Sequence, residues 1–326
     1  MRIQWRMPGA MAVGCAVFAA AGFSDAAWAQ YPVRPVRLVV PFPPGGPTDA
    51  ALRVLLPPLS QALGQDVSID NVAGAHGSNG AIAVMKAQPD GHTLLVGNSS
   101  PLVAVPVLRK NPPYDPVRDF APVSFLGWTP LLLVVTPHVP AKTLAELIQY
   151  ARTHPGKLTV AAANPPTIFA MAQLRTRDKL DIASVDYPID AAAVKALLDG
   201  QAQVMAAGLN IALALAKEGK LRPIATLGAN RARLAPDVPT MAEAGVPGFA
   251  ILPWVAMFGP AGLPADIAAR LSREVGAAFK RDEVREGLDK AAFDYRSSTP
   301  QELAEILSEQ LRVWRGVARD AGIASH

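Results

Sequence analysis

Cysteine is nearly absent from the sequence, since Cys15 is the only one in 326 residues. It falls in an N-terminal segment that we expect to be removed, so the mature chain is predicted to have no disulfide, no cysteine nucleophile and no thiolate metal site. Charged residues account for 18% of the sequence and hydrophobic residues for 50%, a balance that excludes a disordered chain. The length suits two lobes, each able to bury its own core.

Aromatic residues are also few, at 6% of the sequence, and the net charge is only +4. Lysine and arginine are scattered among aspartate and glutamate instead of forming a basic stripe, and no aromatic platform for stacking bases is evident. No nucleic-acid partner is therefore expected.

Signals for catalysis are missing as well. The five histidines show neither the i, i+4 pairing nor the carboxylate spacing of a zinc site. Ser99 and Ser100 follow an apolar run but lack the second glycine of a Gly-x-Ser-x-Gly elbow, and no two carboxylates are paired for acid/base work. The sequence predicts no metal site, no cofactor and no catalytic residue.

Long apolar runs occur only at the N-terminus. Two arginines precede an apolar segment at 7–23, and Ala27-Trp28-Ala29 places small residues at the −3 and −1 positions of a cleavage site. This pattern predicts a secretory signal peptide over residues 1–29, cleaved after Ala29, and a secreted mature chain that begins at Gln30. An uncleaved membrane anchor and a lipid attachment at Cys15 are the alternatives.

The most informative stretch joins an apolar run, Val36–Val40, to a helical pattern that begins near Ala50. Between them, residues 41–49 are rich in proline and glycine, which predicts a strand, a loop and a helix. Thr48 is predicted as the N-cap and Asp49 as a first-turn residue, so the helix start presents free N–H groups and a partial positive charge. Such a helix start can bind a carboxylate or a phosphate.

The same loop has residues that suit close contact with a ligand. Gly45 and Gly46 let a ligand approach the main chain, and Pro43, Pro44 and Pro47 hold the loop in one shape. The motif is neither the dinucleotide glycine pattern nor a Walker loop, because no Lys-Ser/Thr pair follows. A plain strand-to-helix connection is the alternative interpretation.

Two βα regions are predicted along the chain. The first has strands at 36–40, 65–69 and 93–96 and loops at 41–49, 74–80 and 97–101, and the second has strands at 131–135, 157–161, 182–187, 203–207 and 221–227 and loops at 162–167, 187–191 and 207–210. Parallel strands bind ligands beyond their carboxyl ends, so these loops are the candidate sites. Pro57-Pro58 is expected to kink or split the first helix. A strand at 254–260 and two amphipathic helices, at 266–280 and after a cap at Thr299, end the chain.

A series of motifs covers nearly the whole mature chain in order. They are Val39-Val40-Pro41-Phe42-Pro43-Pro44-Gly45-Gly46 with Asp49, Pro89-Asp90-Gly91-His92-Thr93-Leu94-Leu95, Tyr114-Asp115-Pro116, Asp119-Phe120-Ala121-Pro122-Val123, Gly219-Lys220-Leu221-Arg222, Leu234-Ala235-Pro236-Asp237-Val238-Pro239-Thr240 and Glu243-Ala244-Gly245. With these motifs the sequence resembles the Bug family, the periplasmic solute-binding proteins of tripartite tricarboxylate transporter systems.

The resemblance implies an α/β protein with a type II periplasmic-binding-protein fold, in which two Rossmann-like lobes are joined by a hinge. Lobe 1 would comprise residues 30–130 plus 254–326, and lobe 2 residues 131–253. Such a protein captures a small carboxylate between its lobes for uptake by a tripartite tricarboxylate-type transporter. It would be a monomer without enzymatic activity. A ligand-sensing adaptor for a two-component sensor kinase and an enzyme acting on small carboxylates are the alternatives.

Family members hold the carboxylate largely through main-chain groups and bridging waters, and their contacts carry over by position. In lobe 1 these are Phe42, Gly45, Gly46, Thr48, Asp49, Asn98 and Ser99. Asp49 is equally interpreted as a residue that only favours the helix dipole, and Phe42 as a core residue.

Lobe 2 departs from the family pattern. Asn164-Pro165-Pro166-Thr167 stands where the family usually has a Gly/Ser/Thr-rich loop, and the two prolines remove two N–H donors. Tyr187 is retained, but the basic residue and the glycine that usually follow it are not, and Asp190 adds negative charge close to the expected site. Asn164, Thr167, Tyr187 and Asp190 are the predicted lobe 2 contacts. The added negative charge suits a ligand with an amine or amide, so we expect a changed ligand or a loss of binding.

Overall fold

The computed structural model describes residue 1 and residues 31–323, apart from 188, 248, 250 and 252. The predicted signal peptide, including Cys15 and the cleavage site, lies outside the described residues, as does Pro188 of the predicted 187–191 loop. The chain divides into residues 1–30 and residues 31–326, and the description below concerns the second unit. No helix among the described residues is long and apolar enough to cross a membrane.

Eleven strands are found in the described part of the chain. In order they are β1 (Val36–Val40), β2 (Val67–Asn71), β3 (Thr93–Asn98), β4 (Phe120–Trp128), β5 (Leu131–Val135), β6 (Thr159–Ala162), β7 (Ala183–Asp186), β8 (Val204–Gly208), β9 (Arg222–Thr226), β10 (Trp254–Pro260) and β11 (Asp294–Tyr295). The predicted strands at 131–135 and 254–260 agree in both bounds. β4 and β11 are additional to the prediction.

The helices include two short irregular turns. The α-helices are α1 (Pro47–Leu63), α2 (Ser78–Met85), α3 (Val105–Leu108), α4 (Leu144–Thr153), α5 (Pro165–Asp178), α6 (Asp190–Leu198), α7 (Leu209–Lys217), α8 (Ala265–Ala278), α9 (Asp282–Lys290) and α10 (Pro300–Asp320). A 3₁₀ turn at Ala75–Gly77 precedes α2, and a π-helical turn at Ser100–Ala104 leads into α3.

The strands form two sheets with the same internal order. The first sheet runs β11-β4-β10-β3-β1-β2 and the second β7-β6-β8-β5-β9. In each sheet three parallel strands lie next to one antiparallel strand, which is β10 in the first sheet and β5 in the second. In sequence, β10 follows the whole second sheet, and β5 precedes the other strands of its own sheet. The predicted parallel βαβ units are therefore confirmed, and this is the two-sheet α/β architecture of a type II periplasmic-binding protein.

One apolar cluster is shared by the two sheets. It contains Val39 and Phe125 from the first sheet, Val160 from the second, and Phe169 and Trp314 from α5 and α10. Two further clusters cover the remaining face of each sheet separately. The expectation that each lobe buries its own core is thus incomplete, because α10 packs against both β4 of the first sheet and α5 of the second region.

The first helix continues through Pro57 and Pro58 to Leu63, so the expected split does not occur. Its apolar face buries Leu52, Leu55, Leu59 and Leu63. Each such side chain contributes about 1.5–3 kcal/mol on burial. Together they offset the roughly 3 kcal/mol that each proline costs in a helix interior.

Candidate functional site

The segment that follows β1 leads directly into α1. The N-cap is Gly46, with extended backbone angles (φ −73°, ψ 169°), and Pro47 is the first helical residue. The prediction of Thr48 as N-cap is therefore wrong, because proline fits the first helical position, where its missing N–H is not needed. Thr48 and Asp49 are the second and third helical residues. Their N–H groups have no carbonyl partner within the helix, so they remain available at the carboxyl end of β1.

Asp49 is buried and holds the loop in place. Its Oδ2 accepts hydrogen bonds from the Gly45 N–H (3.0 Å) and from Nε of Arg53 (2.8 Å). Asn71, the last residue of β2, donates its Nδ2 to the Phe42 carbonyl (3.0 Å) and to Asp49 Oδ1 (3.3 Å). Both carboxylate oxygens are thus engaged within the protein. The geometry favours a role for Asp49 in shaping the loop; a direct ligand contact stays a prediction.

The electrostatics of Asp49 follow from these contacts. Burial disfavours its charged form, but hydrogen bonds from Arg53, the Gly45 amide and Asn71 together hold the pKa of Asp49 below its ordinary value. The carboxylate is therefore ionised at neutral pH, and its charge is compensated by the guanidinium. The loop can still attract an anion because this charge is already paired.

The two glycines of the loop differ in what they require. Gly45 is exposed and has a φ of +85°, a left-handed conformation that other residues adopt only with strain. Gly46 is extended, and a Cβ atom there would have the Pro43 carbonyl oxygen at 3.8 Å as its nearest neighbour. Phe42 is half-buried and packs against the apolar cluster around α1. Its interpretation as a core residue is consistent with this packing.

The other loops of the first sheet meet at the same edge. β3 extends through Asn98, and the chain turns helical at Ser99, so the predicted 97–101 loop is largely regular structure. Asn98 Oδ1 accepts the Ser100 N–H (2.8 Å), and Ser100 Oγ donates to the His76 carbonyl (3.1 Å). Ser99 is buried.

Close packing also links the 74–80 segment to its two neighbours. A Cβ on Gly77 would lie 3.2 Å from the Pro101 ring. A Cβ on Gly80 would lie 2.8 Å from Cβ of Pro41, which is closer than such atoms approach. The three post-strand segments of the first sheet are therefore in contact, as their order in the sequence predicted.

The predicted lobe 2 residues form a second polar group. Asn164 is the N-cap of α5; its Oδ1 accepts the Thr167 N–H (3.0 Å) and the Thr167 hydroxyl (2.8 Å), while its Nδ2 donates to Asp190 Oδ1 (2.9 Å). Thr167 is fully buried. The Tyr187 N–H donates to the Ala162 carbonyl (2.7 Å), and its ring packs against the second-sheet cluster. Asn164, Thr167 and Asp190 are thus brought together.

The start of α5 differs from that of α1. The predicted loop at 162–167 ends early, since Pro165 and Pro166 occupy the first two helical positions and have no N–H to donate. The Thr167 N–H is taken by Asn164, so this described helix start offers no free amide. The start of α5 can therefore take part in ligand recognition only through its side chains.

Two residues of the site were missed by the sequence analysis. Asn71 ends β2 at the same sheet edge as Phe42, and its position directly after an alternating strand was the available signal. Arg53 lies four residues after Asp49, a spacing typical of an ion pair on one helix face.

Two small surface recesses lie elsewhere, beside the segments that connect the sheets. They have about 300 and 200 Å³ of empty space and share Pro130 and Asp294 in their linings. Burial raises the pKa of Asp294, and Asp289 adds to this, while Arg233 opposes it. Arg233 also lies over the Tyr295 ring, 4.6 Å from its centre. None of the predicted ligand contacts lines these recesses.

Two sheets of this order, with polar and glycine-rich segments at the carboxyl ends of their parallel strands, define the class of periplasmic solute-binding proteins. Residues 51–323 match the model of the tripartite tricarboxylate transporter family receptor. The chain belongs to this family, as its motifs predicted.

Individual relatives agree with this assignment. BugT of Bordetella pertussis is 34% identical over 297 residues, which cover 90% of each chain. The structure of Rpa4515 from R. palustris with adipate matches with a TM-score of 0.79 and 31% identity, over 90% of this chain and 99% of that one. MatC from Rhodopseudomonas palustris, with bound malate, gives a TM-score of 0.74 and 34% identity, over 88% and 99%. The related BugD is a periplasmic binding protein.

Proposed function

We propose that this chain captures a small carboxylate between two lobes, residues 30–130 plus 254–326 and residues 131–253, and delivers it to a tripartite tricarboxylate-type transporter. The observation that carries the proposal is the start of α1. There the N–H groups of Thr48 and Asp49 lack helical partners, beside a loop that Asp49 and Asn71 hold in place. The carboxylates bound by Rpa4515 and MatC support this choice of ligand class.

The proposed site combines residues from both lobes. Its members are Phe42, Gly45, Gly46, Thr48, Asp49, Asn98, Ser99, Asn164, Thr167, Tyr187 and Asp190. Asn71 and Arg53 support the first group without needing to touch the ligand. Closure about the chain crossovers would bury the ligand, so affinity depends on contacts from both lobes.

The polar group of lobe 2 favours a ligand with an N–H donor. Asp190 is half-buried, and one of its carboxylate oxygens accepts the Asn164 amide. A second ligand carboxylate would meet this negative charge without a compensating free amide from α5. We therefore propose a carboxylate that carries an amine or amide at its other end.

A matched series of ligands tests this proposal. Adipate, its monoamide and the ω-amino acid of the same chain length differ only at one end. A ligand at 100 times its Kd stabilises a protein by about 2.7 kcal/mol. We expect the monoamide or the amino acid to raise the melting temperature more than adipate does, and Asp190→Asn to reduce that difference. A preference for adipate that Asp190→Asn leaves unchanged would contradict the assigned role of Asp190.

The proposed carboxylate site at the start of α1 has its own test. Valine fits the extended backbone of Gly46, where a Cβ has no neighbour closer than 3.8 Å, and it adds bulk beside the proposed carboxylate site, so Gly46→Val should melt at the wild-type temperature without ligand. With ligand, the stabilisation should disappear. An unchanged ligand-induced shift in this variant would place the site elsewhere. Mass spectrometry of small molecules released from gently purified protein would identify the natural ligand.

The remaining parts of the proposal concern location and partners. We propose that residues 1–29 are a cleaved signal peptide, which N-terminal sequencing of protein from the periplasm would check. We also propose that the chain performs no catalysis. Pull-down from membranes with and without ligand would distinguish transporter components from a sensor kinase as the partner.

A further inference from the structure

Two helical segments that begin at the proposed ligand site pack against the same helix, α10. The π-helical turn Ser100–Ala104 follows Asn98 and Ser99, and α5 follows its cap Asn164. Both segments pack against α10, and they also pack against each other. The C-terminal helix is therefore a common base for one ligand segment from each lobe.

The contact between α5 and α10 is centred on an aromatic pair. The ring centres of Phe169 and Trp314 lie 4.4 Å apart with an interplanar angle of 38°, and both side chains are completely buried. The indole is oriented by its own helix, because Nε1 of Trp314 donates to Oε1 of Gln310 (3.2 Å). Phe169 lies two residues after Thr167, so its position is tied to the polar group at the start of α5.

We propose that Trp314 is a positioning residue for the ligand site. Through Phe169 it fixes the start of α5 relative to the segment at 98–101, and so it sets the gap that a ligand spans between the two lobes. Interiors are close-packed, so a large buried ring cannot be removed without a shift of the helix that rests on it. The inference rests on the proposed function for the presence of a ligand in this gap. The positioning of α5 by Trp314 does not depend on a ligand.

Three backbone amides report this positioning without any ligand. The Thr167 N–H donates to Asn164 Oδ1 (3.0 Å), the Ile168 N–H to the Asn164 carbonyl (3.2 Å) and the Ser100 N–H to Asn98 Oδ1 (2.8 Å). Native-state hydrogen exchange measures how often each of these bonds opens. The Gly45 N–H, bonded to Asp49 on α1, is an internal reference.

The decisive comparison uses Trp314→Leu, with Phe279→Leu as a matched control. Phe279 is also a buried aromatic residue, but its ring contacts Tyr295 and belongs to the cluster on the other face of the first sheet. In Trp314→Leu we expect exchange at Thr167, Ile168 and Ser100 to rise about tenfold, while that of Gly45 stays the same. In Phe279→Leu these three amides should be unchanged. A Trp314→Leu protein whose three amides exchange at the wild-type rate would overturn the proposal.

Ligand selectivity gives a second readout that a purely structural role would not move. We expect the ratio of adipate to malate affinity to change about fivefold or more in Trp314→Leu, and to return towards the wild-type ratio in Trp314→Phe, which keeps an aromatic ring. If wild-type protein binds neither acid, which agrees with a ligand that carries an amine or amide at its second end, the exchange experiment alone decides the positioning role. If Trp314→Leu does not fold, Phe169→Leu tests the same contact from α5, with the same expected exchange pattern.

Discussion

Replacing the carboxylate of Asp49 by an amide tests how the ligand loop is held. Asp49→Asn keeps the shape of the side chain but removes its charge and makes one end a donor. If the amide nitrogen replaces Oδ2, it faces the Gly45 N–H and Arg53 Nε, and if it replaces Oδ1, it faces Nδ2 of Asn71; all of these groups are donors themselves. In either orientation the hydrogen bonds to one of the two carboxylate oxygens are lost, so we expect a less stable protein and a looser loop.

The size of the effect follows from the two partners. A hydrogen bond to a charged group contributes about 1.5–3 kcal/mol. The Arg53 side chain is 59% exposed, so its ion pair adds only about 0.5 kcal/mol. We therefore expect Asp49→Asn to lower the free energy of unfolding by about 2 kcal/mol at neutral pH, measured by urea denaturation. Asp70→Asn is the control, because the Asp70–Arg37 pair is largely exposed and its loss should cost less than about 0.5 kcal/mol.

The pH dependence of the stability difference tests whether the charge of Asp49 holds the loop. The pKa of Asp49 is lower in the folded protein than its ordinary value of 3.8, so its charge stabilises the fold above that value. This stability is lost as the pH falls through the folded pKa, and the difference between wild type and Asp49→Asn should shrink from about pH 7 to about pH 3. An equal difference at both pH values, or one no larger than that of Asp70→Asn, would show that the carboxylate does not hold the loop.

Three further substitutions probe other parts of the structure. Gly45→Ala imposes a left-handed conformation on a residue with a side chain and should cost about 1–3 kcal/mol in urea denaturation, although nothing crowds its Cβ. Gly80→Ala places a methyl group against Pro41 and should cost about 1–3 kcal/mol, with the Gly45 amide exchanging faster because Pro41 begins the loop. Thr299→Ala removes the capping box of α10 and should cost about 1 kcal/mol, whereas wild-type stability would mean that the cap contributes nothing.

Local rules predicted the regular elements well. Thr143 and Thr299 both cap helices through hydrogen bonds to the N–H three residues on, as their sequences indicated. The strand at 131–135 was recognisable because five consecutive apolar residues are fully buried there. The family motifs predicted the α/β fold class with two sheets, and the ligand loop that they indicate stays a prediction. The prediction of Thr48 as the N-cap of α1 was wrong, because Pro47 takes the first helical position and Gly46 before it is therefore the N-cap.

What sequence could not supply depends on contacts between distant residues. Asn71 reaches Phe42 and Asp49 only because β1 and β2 are neighbours in register, with Val40 opposite Asn71. β4 lacks an alternating pattern because its central residues are buried on both faces, where α8 and α10 pack against the strand. The apolar stripe of α10 was evident, but its sequence does not specify that Trp314 meets Phe169.

The position of β10 has a consequence for biosynthesis. This strand lies between β3 and β4, yet it is made only after the whole second sheet. A nascent chain that stops before Trp254 lacks the partner that joins β3 to β4, and it also lacks α10. The first sheet therefore cannot close until β10 has been made, and until then β3 keeps an unpaired edge that is open to pairing with another chain.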